Sequence, residues 1–376
     1  MTSPAEPSAP TDLPAGHGEQ VPGVPLADAG AAPATSAARI AALAVAADDG
    51  ARRFLCALLE ADPRIQVAGA VDGAAAALDF LLRRRADVAL MDLPGADGFD
   101  ATRRIMENAP LPIVVCTAAG AADYAVFRSL EAGAVACVEK PAGAGSPAAA
   151  HLLQTLRLMS EVKVVRRRSR PPAAARPAGG PAAPGMVGIG ASTGGPPVLQ
   201  AILAGLPQDF PMPVLVVQHI ARGFLAGMAE WLRQTSGLRV HVAAHGMLPQ
   251  PGHVYLAPDD FHMGVGGRGQ IVLSKDDADG GLRPSVAFLF RSLAQACGPA
   301  AIGVLLTGMG RDGAAELKLM KDRGAVTIAQ DGETSVVHGM PGAAIALGGA
   351  GYVLPAERIA GTLVALAGAH SRSARS

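Results

Sequence analysis

The stretch "VGIGASTGGP", Val187 to Pro196, decides how the second half of the chain folds. An apolar run enters a turn of small residues, and Pro196 follows at a point where a helix can begin. A glycine-rich turn between a buried strand and a helix has two chemical uses. It can hold a nucleotide phosphate against backbone N–H groups, or it can expose the hydroxyl of Ser192 as a nucleophile.

Apolar strand-like runs alternate with helical stretches on both sides of this turn. Short β-α-β spacing predicts right-handed crossovers and a parallel sheet with helices on both faces, so the fold class is α/β. Five runs predict the strands of a first sheet: "IAALAVA", "IQVAGAV", "ADVALMD", "PIVVCTA" and "AVACVEK". Five more predict strands of a second sheet: "MVGIG", "PVLVVQH", "AIGVLLTG", "AVTIAQ" and "GYVLP". The insertion from Leu238 to Ser274 alternates like strands between glycine-rich turns, and we expect hairpins there.

Changes in composition predict the domain boundaries. Residues 1–38 are rich in Ala, Pro and Gly and contain no Lys or Arg, which predicts a disordered leader. A first domain is predicted over 39–165, with its last helix from about Ser146 to Val165. The segment "RRRSRPPAAARPAGGPAAPG", residues 166–185, is typical of a linker. The second domain is predicted over 186–368, and 369–376 as a disordered tail.

The overall composition limits the possible functions. Lys plus Arg number 32 and equal Asp plus Glu, so no net field favours nucleic acid or an anionic membrane as a partner. No run offers the ~20 apolar residues that a membrane helix needs. The cysteines show neither close pairing nor metal-ligand spacing, which is typical of reduced core residues: Cys56, Cys116, Cys137 and Cys297. We expect a cytoplasmic protein, unexported and monomeric.

The strand that follows the glycine turn argues against dinucleotide binding. Such a site needs Asp or Glu at the end of the next strand, about 20 residues on, to bind the ribose hydroxyls. Here that strand ends in Gln218 and His219. The expected acidic partner is missing.

Covalent catalysis explains more of the pattern. Serine needs a base, most often histidine, which a carboxylate orients in turn. Ser192, His219 and Asp312 each follow a predicted strand, and the carboxyl ends of parallel strands line one crevice. Taken singly, Ser192 and Asp312 fit helix caps, and His219 fits a loop position. Their coincidence at three strand ends favours catalysis. The other histidines of this half lack such a setting and predict no metal cluster: His241, His245, His253, His262 and His338.

Six motifs occur in an order that resembles a known family. They are "VGIGASTGGP", "PVLVVQHI", "PGHVYLAPDDFHM", "RPSV", "AIGVLLTGMGRDGA" and "TIAQD" followed by "SVVHGMPGAA". Together they resemble the chemotaxis-type protein-glutamate methylesterases, which join a response-regulator receiver domain to a methylesterase domain. The resemblance implies a flavodoxin-like receiver with a five-stranded parallel sheet, then a Rossmann-like doubly wound methylesterase domain with the hairpin insertion.

The resemblance also implies a reaction and its residues. The family's triad corresponds to Ser192, His219 and Asp312, and the backbone N–H of Met309 to the oxyanion donor, with Thr193 as a second donor. The implied reaction hydrolyses γ-glutamyl methyl esters on chemoreceptors and releases methanol, with glutamine deamidation as a second activity and no cofactor. One departure from the family is Ala287, where relatives often carry Asp.

The receiver half departs further from its family. A receiver accepts a phosphoryl group on an Asp after its third strand. The resemblance assigns this role to Asp92, with Thr117 and Lys140 as its partners. It also implies a histidine kinase as the source of the phosphoryl group. The acidic pair that holds Mg²⁺ is replaced by Ala46 and Ala47. The next acids in the chain, Asp48 and Asp49, come two residues late, and the apolar register of Phe54, Leu55, Leu58 and Leu59 argues against a shift. Without these oxygen ligands Mg²⁺ binding should be weak, with Asp92 as its one remaining acidic ligand, and phosphorylation impaired.

Two other functions remain open. The chain could be an interaction module that docks receptors or a kinase without turnover. The glycine turn could instead bind a nucleotide, in which case NAD or ATP should raise the melting temperature of the protein.

Overall fold

The computed structural model describes residues 39–92, 95–118, 124–162 and 185–373, with backbone alone at 95–96, 124–126 and 369–373. The predicted leader, nearly all of the predicted linker and the last three residues lie outside the described residues. No helix in the described ranges is both long and apolar enough to cross a membrane.

The first domain is built on a five-stranded parallel sheet, as predicted. Its strands lie in the order β2-β1-β3-β4-β5, which is the flavodoxin-like order. The strands are β1 (Ile40–Ala46), β2 (Ile65–Val71), β3 (Val88–Asp92), β4 (Ile113–Thr117) and β5 (Ala136–Glu139). The helices are α1 (Asp49–Glu60), α2 (Ala74–Arg83), α3 (Gly95–Asn108), α4 (Tyr124–Glu131) and α5 (Pro147–Ser160).

Helix α5 is shorter than predicted. It starts after Ser146, whose Oγ accepts a hydrogen bond from Ala149 N–H at 3.2 Å, and Pro147 provides the first helical residue. The helix ends at Ser160, five residues before Val165. Val165 lies outside the described residues.

The second domain is built on a seven-stranded parallel sheet in the order β14-β13-β12-β6-β7-β9-β8. Its strands are β6 (Met186–Ala191), β7 (Val214–Gln218), β8 (Arg239–Val242), β9 (His253–Leu256), β12 (Ala301–Leu305), β13 (Val326–Gln330) and β14 (Tyr352–Leu354). A separate hairpin contains β10 (His262–Val265) and β11 (Ile271–Ser274). The helices are α6 (Gly195–Ala204), α7 (Leu225–Ser236), α8 (Val286–Ala296), α9 (Ala314–Asp322), α10 (Met340–Ala346) and α11 (Ala356–Ser373).

The expectation of hairpins in the insertion is confirmed for its second half and wrong for its first half. Only β10 and β11 form an antiparallel hairpin. Strands β8 and β9 instead extend the main sheet, parallel to each other and to β7. Period-2 alternation reports which side chains face a core, but not the direction of the neighbouring strand. The connection over residues 243–252 is long enough to return the chain to the same end of the sheet.

The predicted tail begins inside a helix. Helix α11 continues to Ser373 and so includes residues 369–373 of the predicted tail. Ile359, Leu363 and Leu366 recur at helical spacing and are buried against the core. This apolar face anchors the helix to the domain.

The strand order creates one crevice at the carboxyl edge of the second sheet. From β6 the chain moves first to β7 on one side and later returns to β12 on the other side. Side chains that follow these three strands therefore meet at a topological switch point, where ligands of α/β sheets bind.

The two domains share apolar contacts. Phe127 on α4 stacks on Trp231 of α7, with ring centroids 5.6 Å apart and an interplanar angle of 25°. Both side chains are fully buried. Large aromatic surfaces dominate the energetics of such contacts, so this stack anchors the receiver on the second domain.

Candidate active site

Ser192 lies in the tight turn between β6 and α6. Its N–H donates to Thr307 O at 3.0 Å, and its carbonyl accepts from Gly195 N–H at 2.8 Å. Gly194 has φ of +77°, and a Cβ there would lie 2.5 Å from Cβ of Val336. Only glycine meets both the left-handed conformation and this close approach. The glycines thus shape the turn that presents Ser192.

We expect Gly194→Ala to lower the free energy of unfolding by about 2–3 kcal/mol. Alanine is strained in the left-handed conformation, and its Cβ would overlap with Val336. Urea denaturation measures the change. Gly361→Ala is the matched control, since its added Cβ meets nothing within 4 Å in helix α11. The control should be neutral or stabilising. Equal stability of the Gly194→Ala variant and the wild type would contradict this account of the turn.

His219 follows the strand next to that of Ser192. Ala191 and Gln218 are paired across β6 and β7. Ser192 and His219, the next residue of each strand, therefore lie side by side along the backbone. His219 N–H donates to Ala191 O at 2.9 Å, which continues the ladder by one bond. The register of the sheet therefore brings the two side chains to one edge.

His219 and Asp312 are in direct contact. Nε2 of His219 lies 2.9 Å from Oδ2 of Asp312, although the N–H direction is not aligned as in a linear hydrogen bond. Both side chains are largely buried, at 12% and 9% exposure. The structure thus brings together the histidine and the aspartate that the strand ends predicted.

The N-terminus of helix α8 holds the Asp312 carboxylate. Backbone N–H groups of Val286 and Ala287 donate to it at 2.7 and 2.9 Å, and Ser285 Oγ donates at 3.0 Å. A helix N-terminus favours negative charge. Burial opposes ionisation, but the close contact with His219 and the two backbone N–H groups outweigh it and keep the pKa of Asp312 below its usual value. Asp312 is therefore an anion at neutral pH.

This geometry also bears on the departure at position 287. The contact of Ala287 with Asp312 is made by its backbone N–H, so the loss of a carboxylate side chain there leaves that contact in place. Nothing in the structure explains the departure further.

The two predicted oxyanion residues lie on the loops that follow β6 and β12. Thr193 O accepts from Thr307 Oγ1 at 3.0 Å, which ties the two loops together. Gly308, the neighbour of Met309, approaches Ser192 so closely that a Cβ would lie 2.8 Å from Cβ of Ser192. The backbone that carries Met309 N–H therefore passes beside the serine. Sδ of Met309 also accepts from Gln154 Nε2 of the receiver at 3.4 Å.

Three residues of the site were missed by sequence reasoning. Ser285 caps α8 and hydrogen-bonds Asp312, Thr307 connects the loops, and Gln218 hydrogen-bonds the backbone of Ser192 and His219. Each of these residues lies inside a motif quoted above, but the motif did not indicate the role of the residue. A hydrogen bond between segments 25 or more residues apart leaves no spacing signal.

The three residues predicted for the receiver pocket lie at the carboxyl ends of neighbouring strands. Asp92 ends β3 beside Ala46 of β1, and Lys140 Nζ lies 2.5 Å from Asp92 Oδ2. Thr117 ends β4, and its carbonyl accepts from Lys140 N–H at 2.7 Å. The side chain of Asp92 is therefore paired with a lysine ammonium.

The residues present do not fit the Mg²⁺ site that the receiver family implies. Ala46 and Ala47 offer no side-chain oxygen, whereas Mg²⁺ requires several oxygen ligands in octahedral geometry. Asp48 caps helix α1 by accepting Ala51 N–H at 2.7 Å, and Asp49 pairs with Arg52. Arg52 Nη1 also donates to Ala46 O at 2.7 Å and so brings positive charge to the end of β1. Among the described ranges, no cluster of three or more His, Cys, Asp or Glu could hold a metal ion.

Three of the other histidines in the described part of the second domain have contacts outside the candidate site. His241 and His253 stack at the sheet edge, with Nε2 and Nδ1 3.0 Å apart. His262 is completely buried. It stacks on Phe288, and its Nε2 lies 3.1 Å from Asp277 O.

The fold and the site together define a class: a receiver domain followed by an α/β domain that carries serine, histidine and aspartate at one sheet edge. Residues 43–149 match the family model described as response regulator receiver domain, and residues 187–363 match the one described as CheB methylesterase. The chain belongs to the CheB methylesterase family, as the resemblance of its motifs predicted.

Curated relatives agree with this assignment. The chain is 49% identical over 333 residues to protein-glutamate methylesterase/protein-glutamine glutaminase 1 of Syntrophus aciditrophicus, with 84% of this chain and 95% of the relative covered. The protein-glutamate methylesterase/protein-glutamine glutaminase of Nitrosospira multiformis is 47% identical over 333 residues, with 84% of this chain and 93% of the relative covered. The crystal structure of the Thermotoga maritima CheB methylesterase catalytic domain is 43% identical and covers 48% of this chain and 98% of its own, with a TM-score of 0.47.

Proposed function

We propose that the protein is a protein-glutamate methylesterase that hydrolyses γ-glutamyl methyl esters on chemoreceptors in a chemotaxis-type pathway. The observation that carries the proposal is the buried contact of His219 with Asp312 at the sheet edge where Ser192 lies. The names of the relatives support the substrate class. The proposed partners are methylated chemoreceptors and a histidine kinase, and the proposed location is the cytoplasm.

The proposed mechanism uses only groups of this chain. Ser192 Oγ attacks the ester carbonyl carbon while His219 accepts the hydroxyl proton, and the carbonyl oxygen becomes an oxyanion. Backbone N–H groups on the loops of Thr193 and Met309 stabilise this oxyanion. Asp312 stabilises the imidazolium that forms. The carbonyl re-forms, the C–OCH₃ bond breaks, and His219 returns the proton, so methanol leaves.

Water completes the cycle. His219 accepts a proton from water, whose oxygen attacks the acyl-serine carbonyl, and the ester bond to Ser192 Oγ breaks. The proton returns to Oγ, and the glutamate side chain is released as a carboxylic acid, which loses its proton to solvent. Glutamine deamidation follows the same course, with ammonia as the leaving group in place of methanol, and is the proposed second activity.

Methanol release tests the proposed function. Membranes carrying receptors that bear radiolabelled methyl esters are incubated with the full-length protein, and volatile label is counted. We expect release with native protein and none with heat-denatured protein. Membranes labelled on phospholipid instead of receptor provide the second control. Native protein that releases no methanol above the denatured control would contradict the proposal.

We also propose that the receiver acts on the esterase domain without phosphoryl transfer to Asp92. The poor fit of the pocket to Mg²⁺ supports this, since phosphoryl transfer depends on the charge of that metal. With labelled acetyl phosphate and Mg²⁺, the wild type should take up no more label than Asp92→Asn. The double variant Ala46→Asp, Ala47→Asp restores both acids and should take up more. Strong labelling of the wild type that Asp92→Asn abolishes would contradict the proposal.

A further inference from the structure

Gln218, the last residue of β7, connects the backbones of two site residues. Its Nε2 donates to Ser192 O and to His219 O, each at 2.8 Å. The side chain is buried, at 6% exposure. A single amide group thus spans the turn after β6 and the end of β7, from which the serine and the histidine project.

The orientation of this amide follows from its partners. Both carbonyl oxygens are acceptors, so only the NH₂ end can face them. The other end, Oε1, is then buried without a hydrogen-bond partner in the described part of the chain. It lies against Gly195, where a Cβ would approach to 2.2 Å. The glycine of the turn therefore makes room for the glutamine.

The unpaired Oε1 argues against a purely structural role. A buried acceptor without a partner costs about 1–3 kcal/mol, which offsets much of what the two hydrogen bonds contribute. An apolar side chain of similar length would fill the same space without this cost. Stability alone thus gives little reason for glutamine at this position.

We propose that Gln218 is a positioning residue, which holds the backbones of Ser192 and His219 at the separation that proton transfer between their side chains requires. The inference rests on the proposed function of Ser192 and His219 and goes beyond it by assigning the residue that sets their spacing. Gln218 does not touch the substrate in this role. Its loss should therefore reduce the rate of the chemical step and leave substrate binding unchanged.

The test compares Gln218→Met with the wild type in the methanol assay. Methionine has similar length and no N–H donor, so the packing remains while both hydrogen bonds are lost. We expect kcat to fall about 10- to 100-fold, the size of effect that a displacement of about 1 Å produces. KM should stay within about twofold. The melting temperature should change little, because the unpaired Oε1 is removed along with the two hydrogen bonds.

Thr327→Val is the matched control. Thr327 is also buried and also bridges two backbone groups, donating to Gly349 O at 2.7 Å and accepting from Gly351 N–H at 2.9 Å. It lies near the start of β13, at the opposite end of the sheet from the site. We expect it to lose stability and keep the kcat of the wild type.

Gln218→Asn gives a second test if the methionine variant does not fold. Asparagine keeps the amide but is one methylene shorter, so it cannot reach both carbonyls, and kcat should fall as for methionine. Unchanged kcat in a folded Gln218→Met or Gln218→Asn variant would overturn the proposal. An equal fall of kcat in Thr327→Val would also overturn it, because the effect would then reflect general loosening.

Hydrogen exchange separates this proposal from the proposed function. Faster amide exchange at Ser192–Gly195 in Gln218→Met, with wild-type exchange elsewhere in the sheet, supports the positioning role. Unchanged exchange there would overturn it. Wild-type protein that releases no methanol would count against the proposed function, and the exchange experiment would still decide whether Gln218 holds the turn.

Discussion

Replacing Ser192 with alanine should reduce methanol release from methylated receptors by about 10⁴- to 10⁶-fold, because no other step of the proposed mechanism forms the acyl-enzyme. The hydroxyl is the only group removed, and the backbone contacts of Ser192 with Thr307 and Gly195 do not use it. The folded structure should therefore be kept. Methanol counting over a long incubation measures the residual rate, and circular dichroism verifies the fold.

Ser236→Ala provides the control for this substitution. Ser236 lies at the C-terminal end of α7, where its Oγ donates to Leu232 O at 2.6 Å. Its loss should leave methanol release unchanged. If Ser192→Ala retained more than about one-tenth of the wild-type rate, against the loss expected for a nucleophile, Ser192 would not be the nucleophile, even if the protein hydrolysed the ester.

Replacing Asp312 with asparagine should lower kcat by about 10⁴-fold, because the amide cannot stabilise the imidazolium and favours the wrong tautomer of the histidine. Asparagine has nearly the same shape. Its oxygen can still accept from the backbone N–H of Val286 or Ala287. Its NH₂ group then occupies the place of the other carboxylate oxygen, where it faces hydrogen-bond donors or His219 and not an acceptor. A pre-steady-state measurement of acylation should show the loss in the chemical step.

The stability of this variant has a pH dependence that checks the charge of Asp312. The folded pKa of its carboxyl lies below the unfolded value, so the carboxylate contributes stability above the unfolded pKa, about 3.9, and loses it as the pH falls through the folded pKa. Urea denaturation should therefore show wild type more stable than Asp312→Asn at pH 7. That difference should shrink under acid conditions, and a difference independent of pH would contradict the assignment.

The sequence was sufficient to predict the strands outside the insertion and the positions of the three candidate residues after strand ends. All ten strands predicted outside the insertion are present. The strands that precede Ser192 and His219 are fully buried, and parallel strands buried on both faces are continuous apolar runs. The direction of β8 and β9 could not be predicted, because alternation carries no information about neighbours. The end of α11 was missed as well, since alanine, glycine and serine near a terminus resemble a frayed tail.

The contacts that support the site could not be predicted for a different reason. Asp312 is held by the N-terminus of α8, a helix about 25 residues earlier in the chain. Gln218 acts through carbonyl groups, which every residue has, so no side-chain pattern marks its partners. Such interactions depend on how two elements meet, and a single sequence does not encode this in its local spacing.

The stack of Phe127 on Trp231 allows the contact between the two domains to be followed by intrinsic tryptophan fluorescence. Trp231 is the single tryptophan of the chain, so the whole indole emission comes from the place where the receiver meets the second domain. Any signal that separates α4 from α7 would expose the indole ring of Trp231 to water and shift its fluorescence emission to longer wavelength. Binding of a kinase or receptor fragment to the receiver can thus be followed by fluorescence, without a label and without an assay of ester cleavage.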